Sequence, residues 1–277
     1  MNTAQELLEV AVETARMAGE RLALRARAGA ETSVSSKSTP TDLVSEADVD
    51  SERAIRELLR ERRPHDGFVG EETDVADESG DSGYSWVVDP LDGTVNFVFG
   101  IPQWSVSVAV RDARGTVAGA IHDPNRDELF CAHRDGPARL FTRDGESELR
   151  GRVRTVTPSA SPSAEHALAS AMVATGFYYD AHVRAAQGEV LASLVGRVRD
   201  IRRFGSAALD LAWTATGRYD AYFERGVKQW DVAAGALICE RAGLRVLELP
   251  ALGDLPRGIL VAPAALAEHL LELVAGS

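Results

Sequence analysis

Apolar positions along this chain change period several times, and each change predicts an element. Leu7, Leu8, Ala11, Ala15, Ala18 and Leu22 recur at three- and four-residue spacing, which predicts a long amphipathic helix over residues 3–27. Residues 31–42 (ETSVSSKSTPTD) interrupt that period with polar residues around Lys37 and Pro40, the pattern of a loop or an irregular hairpin. Helical spacing returns from Asp48 to Arg62, with Ala54, Ile55, Leu58 and Leu59 on the apolar face. A short apolar stretch ending at Glu71 precedes an acidic loop (TDVADESGDSG). SWVVD at 85–89, WSVSVAV at 104–110 and GTVAGAIHD at 115–123 then have strand character, the last two as an antiparallel meander with charged turns.

Residues 142–166 scatter Pro, Ser and charge, which places a domain boundary near 150–160 and divides the chain into parts 1–155 and 156–277. Beyond it helices and strands alternate. HVRAAQGEVLASLVGRV, SAALDLAWTATG, DVAAGALICERAG and PAALAEHLLELVAG are helical in pattern, whereas YDAYFE, LRVLEL and GILVA are strand-like. An α+β first part therefore precedes a more nearly α/β second part.

With 277 residues, 45% of them hydrophobic and 26% charged, the composition is that of an ordinary globular protein. A chain of this length buries enough surface to need no disulfide or structural metal. Cys131 and Cys239 lie far apart with no partner motif, so neither a disulfide framework nor a zinc site is signalled. The net charge of −12 argues against a general nucleic-acid binder and suits a protein that gathers cations. The acidic, amphipathic N-terminus lacks the pattern of a signal peptide, and no apolar run reaches the ~18 residues of a membrane helix. A soluble, cytoplasmic enzyme with no membrane partner is the expectation.

Three acidic motifs carry the candidate chemistry. In Trp86-Val87-Val88-Asp89-Pro90-Leu91-Asp92-Gly93-Thr94, an apolar strand delivers Asp89 where Pro90 stops the ladder, and Asp92 follows in a turn. Gly93 allows close backbone approach, and two carboxylates so near each other favour a hard cation such as Mg²⁺ between them. A plain strand ending in an Asp-Gly turn explains Asp92 but not Asp89. Gly70-Glu71-Glu72 closes the preceding apolar stretch, and an acidic pair of this kind usually marks a solvated face. Asp231, in Trp230-Asp231-Val232-Ala233-Ala234-Gly235, directly precedes a helical pattern, so helix capping competes with metal binding there. Asp48 is open to the same capping role. The chain has no Gly-x-Ser-x-Gly, P-loop, His-Glu-x-x-His or Gly-x-Gly-x-x-Gly motif, and its six histidines show no metal-ligand spacing. An aspartyl phosphatase of the haloacid dehalogenase type would need Asp-x-Asp-Gly-Thr, one residue narrower than Asp89 to Thr94 here.

These residues resemble the inositol monophosphatase family of Mg²⁺-dependent, lithium-sensitive sugar-phosphate phosphatases. Asp89 to Phe97 matches its Asp-Pro-Ile/Leu-Asp-Gly-Thr-x-Asn-Phe signature, and Trp230 to Gly235 its Trp-Asp-x-Ala-Ala/Gly-Gly signature. Asp42 to Asp48, Gly205 to Ala208 and Asp220 to Glu224 are similar to further family segments, in the same order along the chain. The resemblance implies a layered αβαβα sandwich, a homodimer and two or three Mg²⁺ per active site. It further implies that Glu71, Asp89 and the Leu91 carbonyl hold one metal, and that Asp89, Asp92 and Asp231 hold the second. Asp48, Thr94 and Glu71 would be catalytic, with Thr94 and Asp48 activating water. Asp92, Gly93, Thr94, Gly205, Ser206, Ala207, Glu224 and Asp231 would contact substrate, Glu224 through polyol hydroxyls. Lys228 and Gln229 stand where the family varies and so bear on substrate choice. Inositol monophosphate or a related small polyol or sugar phosphate is the implied substrate. Histidinol phosphate, fructose 1,6-bisphosphate and adenosine 3′,5′-bisphosphate are the alternatives within the same fold. A different class also stays open, a regulatory protein acting through RNA or the transcription machinery with residual phosphatase activity.

Overall fold

The computed structural model describes residues 3–29, 34–36, 43–72, 80–151 and 164–275. The first predicted helix is α1 (Thr3–Ala28), and the residues repeating at helical period are those it buries. Within the predicted loop or hairpin, β1 (Val34–Ser36) pairs antiparallel with β2 (Leu43–Ser45), while residues 30–33 and 37–42 lie outside the described residues. The second helix, α2 (Glu46–Arg62), starts two residues earlier than its apolar pattern predicts. Asp48 is therefore its third residue and not its cap. Next come β3 (Gly67–Gly70), β4 (Ser85–Asp92) and the short α3 (Thr94–Val98), with residues 73–79 of the acidic loop outside the described part. The meander of β5 (Ser105–Asp112) and β6 (Gly115–Asp123) continues through β7 (Glu128–His133), β8 (Arg139–Thr142) and β9 (Gly145–Glu148).

The second part runs α4 (Ala164–Ser170), β10 (Met172–Thr175), α5 (Ala181–Leu194), β11 (Asp200–Arg202) and α6 (Ala207–Ala215). It ends with β12 (Ala221–Arg225), α7 (Gln229–Arg241), β13 (Arg245–Leu249), β14 (Gly258–Ala262) and α8 (Ala264–Val274). Two main sheets result, one in the order β3-β4-β5-β6-β7-β8-β9 and one in the order β11-β10-β12-β14-β13. The second is mixed, not parallel throughout. β10 runs parallel to β11 and β12, but β14 is antiparallel to both its neighbours. Residues 250–257 join β13 to β14 without a helix, too short a path for a parallel crossover.

Alternation along the strands sets the layers. On one face of the large sheet Trp86, Val88, Val106 and Val108 pack with Leu7 and Ala11 of α1 and Ile55 and Leu59 of α2. On the other face Val87, Ala109, Ile121 and Phe130 pack against Leu211 of α6 and Ile238 of α7. Tyr222 and Val261 of the small sheet join that same core, while their neighbours Phe223 and Leu260 face a third core with Leu194, Leu266 and Leu270. The order is helices, sheet, helices, sheet, helices, the αβαβα sandwich that the resemblance implies. The middle core draws on residues from both sides of the predicted boundary, whose own segment, 152–163, lies outside the described residues. Cys131 and Cys239 are free and buried in different cores. Among the described residues no helix is long and apolar enough to cross a membrane.

His122 is buried on β6, with Nδ1 unpartnered. Burial pushes its imidazole down to about 4, against a hydrogen bond with the Ala15 backbone that acts the other way. The unfolded chain takes up this proton below about pH 6.5 and the folded chain only near 4, so stability is lost as pH falls across that window. The full shift corresponds to on the order of 3 kcal/mol. Urea melts of parent and His122→Asn between pH 7 and 4.5 check this. The parent's stability relative to the variant's is expected to decline as pH falls, and parallel curves would contradict it.

Candidate active site

The site is built on an irregularity in β4. Asp89 pairs with Ser107 and Asp92 with Ser105, so Pro90 and Leu91 together oppose Val106 alone. The sequence reading ends the ladder at Pro90. The strand instead bulges there and resumes, because a bulge accommodates one missing N–H without ending the pairing. The bulge is braced on both sides, by the Leu91 N–H donating to Asp89 Oδ1 (3.0 Å) and by Ser51 Oγ donating to the Pro90 carbonyl (3.0 Å). Gly93 follows at φ 99°, in the left-handed region, and opens α3.

Three carboxylates converge here. Glu71 closes β3, Asp89 enters from the bulge and Asp231 from the first turn of α7, and one oxygen of each lies within 4.8 Å of the others. Asp231 is the third residue of α7, not its cap, and it accepts the Lys228 N–H at 2.6 Å. The buried Glu52 accepts the Glu72 N–H at 2.8 Å and fixes the chain just after Glu71. Burial first, and then repulsion from Glu71, Asp92 and Asp231, holds the Asp89 carboxyl well above the usual range. Burial and then Glu71 do the same to Asp231.

Asp92 is treated differently. It accepts the Ala207 and Ala208 N–H groups at the start of α6 (3.1 and 2.9 Å), the Ser206 hydroxyl, and the Ser105 hydroxyl at 3.3 Å. Burial still outweighs these donors and pushes Asp92 up to about 6. Its position beside the other three acids is thus set by a helix N-terminus.

Behind them Asp48 is fully buried at the start of α2. It accepts the Ser45 N–H (2.9 Å), the Ser45 hydroxyl (2.6 Å) and, on its other oxygen, the Thr94 hydroxyl at 2.7 Å. Asp48 therefore caps α2 from within, as half of a capping box, and bonds Thr94 at the same time. Burial outweighs its three donors and raises its pKa.

A cavity of about 310 Å³ lies in front of these groups, lined by Glu71, Asp89, Leu91, Asp92, Gly93 and Thr94 on one side, with Asp48 behind its wall and in touch with it through Thr94. Asp231, Gly205, Ala207 and Glu224 line it too. Ser206 does not: it is wholly buried, its hydroxyl given to Asp92. Lys228 lines the cavity, whereas Gln229 turns away to accept from Arg111 at 2.6 Å. Glu224 lies flat against Gly176, where a Cβ would fall 2.1 Å from its carboxylate, and accepts the Tyr222 hydroxyl at 2.8 Å. Burial pushes Glu224 up to about 7, against the lowering effects of Tyr222 and Arg203.

Sequence reasoning missed several supports. The alternation of YDAYFE puts Tyr222 and Glu224 on one face of β12 and could have found Tyr222. Asn96 ties α3 to the segment before α6 by donating to the Gln103 and Phe204 carbonyls, both at 2.7 Å. Asn96 stands inside the matched signature, but its bond to Phe204, like the contacts of Glu52 and Ser105, joins separate segments and leaves no local signal.

The sequence profile of the inositol monophosphatase family matches residues 3–276. A protein of Mycobacterium tuberculosis (strain ATCC 25618 / H37Rv) called Inositol-1-monophosphatase SuhB is 42% identical over 243 residues, covering 86% of this chain and 80% of that one. The Nus factor SuhB of Haemophilus influenzae is 36% identical across 97% of this chain and 95% of its own. Among solved structures, the extragenic suppressor protein suhB of Bartonella henselae superposes with a TM-score of 0.82 at 33% identity, covering 97% of this chain and 98% of that one. The chain belongs to the inositol monophosphatase family, and with it to the phosphoric monoester hydrolases.

Proposed function

We propose that this cavity hydrolyses a small phosphorylated polyol or sugar, with inositol monophosphate as the type, using Mg²⁺ as cofactor. One observation carries the reading: three buried or half-buried carboxylates bring their oxygens within 4.8 Å of one another. An arrangement of this kind repels itself unless cations neutralise it, and donors that are all oxygen suit a hard divalent ion. Glu71, Asp89 and the Leu91 carbonyl would hold one ion, and Asp89, Asp92 and Asp231 another, two or three being held in all. Bound there, such ions neutralise phosphoryl oxygens, stabilise the leaving oxygen and acidify water.

The chain's own residues supply the rest. Thr94 already donates its proton to Asp48, so its oxygen is oriented to accept a hydrogen bond from an attacking water, with Asp48 as the base behind it. A base whose pKa is raised by burial is the better suited to that task. The Gly93 and Thr94 amides would receive the phosphate. Glu224 would accept the hydroxyls of the alcohol, its own pose fixed by Tyr222. The name of the Mycobacterium tuberculosis relative supports inositol phosphate over histidinol phosphate or the bisphosphates.

The Nus factor name of the Haemophilus influenzae relative keeps a second reading in view, a role with the transcription machinery. The net charge of −12 argues against a general nucleic-acid binder, so the proposal includes none. It does include a homodimer. Phe99 and Ile101 are exposed and line a second cavity, of about 520 Å³, with Ala23 and Ala26, the kind of apolar surface a second copy covers. Sedimentation velocity should give twice the 29.7 kDa chain mass. A species at the single-chain mass would remove the dimer.

Activity should require Mg²⁺ and stop in excess chelator. Asp89→Asn should lower turnover by orders of magnitude, although Asn is as good a turn former as Asp. Near-normal turnover in Asp89→Asn, measured by phosphate release, would exclude its shared role. Assayed above pH 8, where its raised carboxyl is ionised, Glu224→Gln should cost about tenfold in kcat/KM on inositol 1-phosphate, the difference between a charged and a neutral hydrogen bond. On an aryl phosphate without hydroxyls the same variant should behave nearly like the parent. Equal losses on both would give Glu224 a structural role instead.

A further inference from the structure

The cavity has a third wall that the acid motifs do not supply. It is the turn after β10, where Phe177, Tyr178 and Tyr179 face the same space as Glu224 and the carboxylates. This turn is tied down at Tyr178 and Tyr179. The Tyr178 N–H donates at 2.9 Å to Oε1 of Gln187, a buried side chain on α5. Gln187 in turn donates through Nε2 to the carbonyl of Arg225, the neighbour of Glu224 (3.4 Å). Arg184 Nη1 donates to the Tyr179 carbonyl at 2.6 Å. The Tyr178 ring packs on the backbone of Gly226, where φ is +87° and a Cβ would fall 2.2 Å from Cδ2 of the ring. Among the described residues the Tyr178 hydroxyl has no hydrogen-bond partner. The ring is therefore placed by its backbone and by packing, not by its polar end.

A rigid aromatic surface beside a polar, acid-lined site is suited to a ligand with one apolar face and one polar edge. We propose that Tyr178 is a platform for the ring of the leaving alcohol, so that the site prefers phosphate monoesters of ring compounds to those of open-chain alcohols. The inference rests on the phosphatase reading above and specifies its substrate class. Glu224 reads hydroxyls, and Tyr178 reads the flat C–H or π face that an open-chain polyol does not present.

Three substrates separate the two contributions. Inositol 1-phosphate has both ring and hydroxyls, p-nitrophenyl phosphate has only the ring, and glycerol 2-phosphate has only hydroxyls. Tyr178→Ala is expected to lose about five- to tenfold in kcat/KM on the first two, the factor for ~40–60 Å² of apolar contact, and to keep its rate on the third. Glu224→Gln should show the complementary pattern, losing on the first and third and sparing the second. Tyr178→Phe should retain the parent's preference, because the hydroxyl has no part in it. If Tyr178→Ala does not fold, Tyr178→Leu keeps the bulk and removes the flat face. Equal losses on all three substrates, or none on any, would overturn the platform. Calorimetric binding of phenylphosphonate against the open-chain 2-hydroxyethylphosphonate, whose C–P bonds are not hydrolysed, reads the platform without turnover. Tighter binding of phenylphosphonate by the parent, with the difference lost in Tyr178→Ala, supports it, and equal affinities overturn it. A parent that hydrolyses none of the three would overturn the phosphatase reading and leave the platform to be decided by that binding comparison.

Discussion

Mutual repulsion among buried carboxylates is the constraint on which the rest of this structure depends. Glu71, Asp89 and Asp231 approach one another from three elements, and Asp92 adds its charge beside them. No fold would collect these groups for stability, since burial and like charge both oppose it. The surrounding structure holds them there regardless. The bulge in β4 is pinned by Ser51, the end of β3 by Glu52, Asp92 by the start of α6, and Asp231 by the backbone it caps. Strain kept in place by so many independent contacts is what a cation site looks like before the cation is considered.

The sandwich explains how these contacts arise. The large sheet contributes Asp89 and Asp92, and α6 and α7 of the middle layer contribute the donors to Asp92 and the carboxylate of Asp231. The small sheet contributes Glu224 from β12 and the turn after β10. The cavity thus lies where three layers meet, and none of them could form it alone. The acid cluster lies at its large-sheet side and the residues proposed to read the alcohol at its small-sheet side.

Much of this was legible in the sequence, for identifiable reasons. Helical period in α1 and the strand-like apolar stretches of β5 and β6 are strong local signals, and the acids of the site sit in short motifs with distinctive neighbours. What the sequence misplaced depended on local competition. Pro90 reads as a stop because it lacks an N–H, yet a bulge absorbs that loss. Asp48 and Asp231 read as caps because Asp favours that position, yet each sits three residues past the cap and caps by reaching back. The layer order, the mixed direction of the small sheet and the roles of Asn96, Gln187 and Tyr178 rest on contacts between distant segments. Periodicity carries no trace of such contacts.

The central claim is that the acid cluster is held against its own repulsion, and thermal unfolding of the metal-free protein at pH 8 tests it most directly. Asn at position 89 keeps the oxygen that accepts the Leu91 N–H and removes one of the crowded charges. The account predicts that Asp89→Asn melts at a higher temperature than the parent without metal, and that Mg²⁺ stabilises the parent more than the variant. A metal-free variant that melts below the parent, with an equal gain from Mg²⁺ in both, would contradict it.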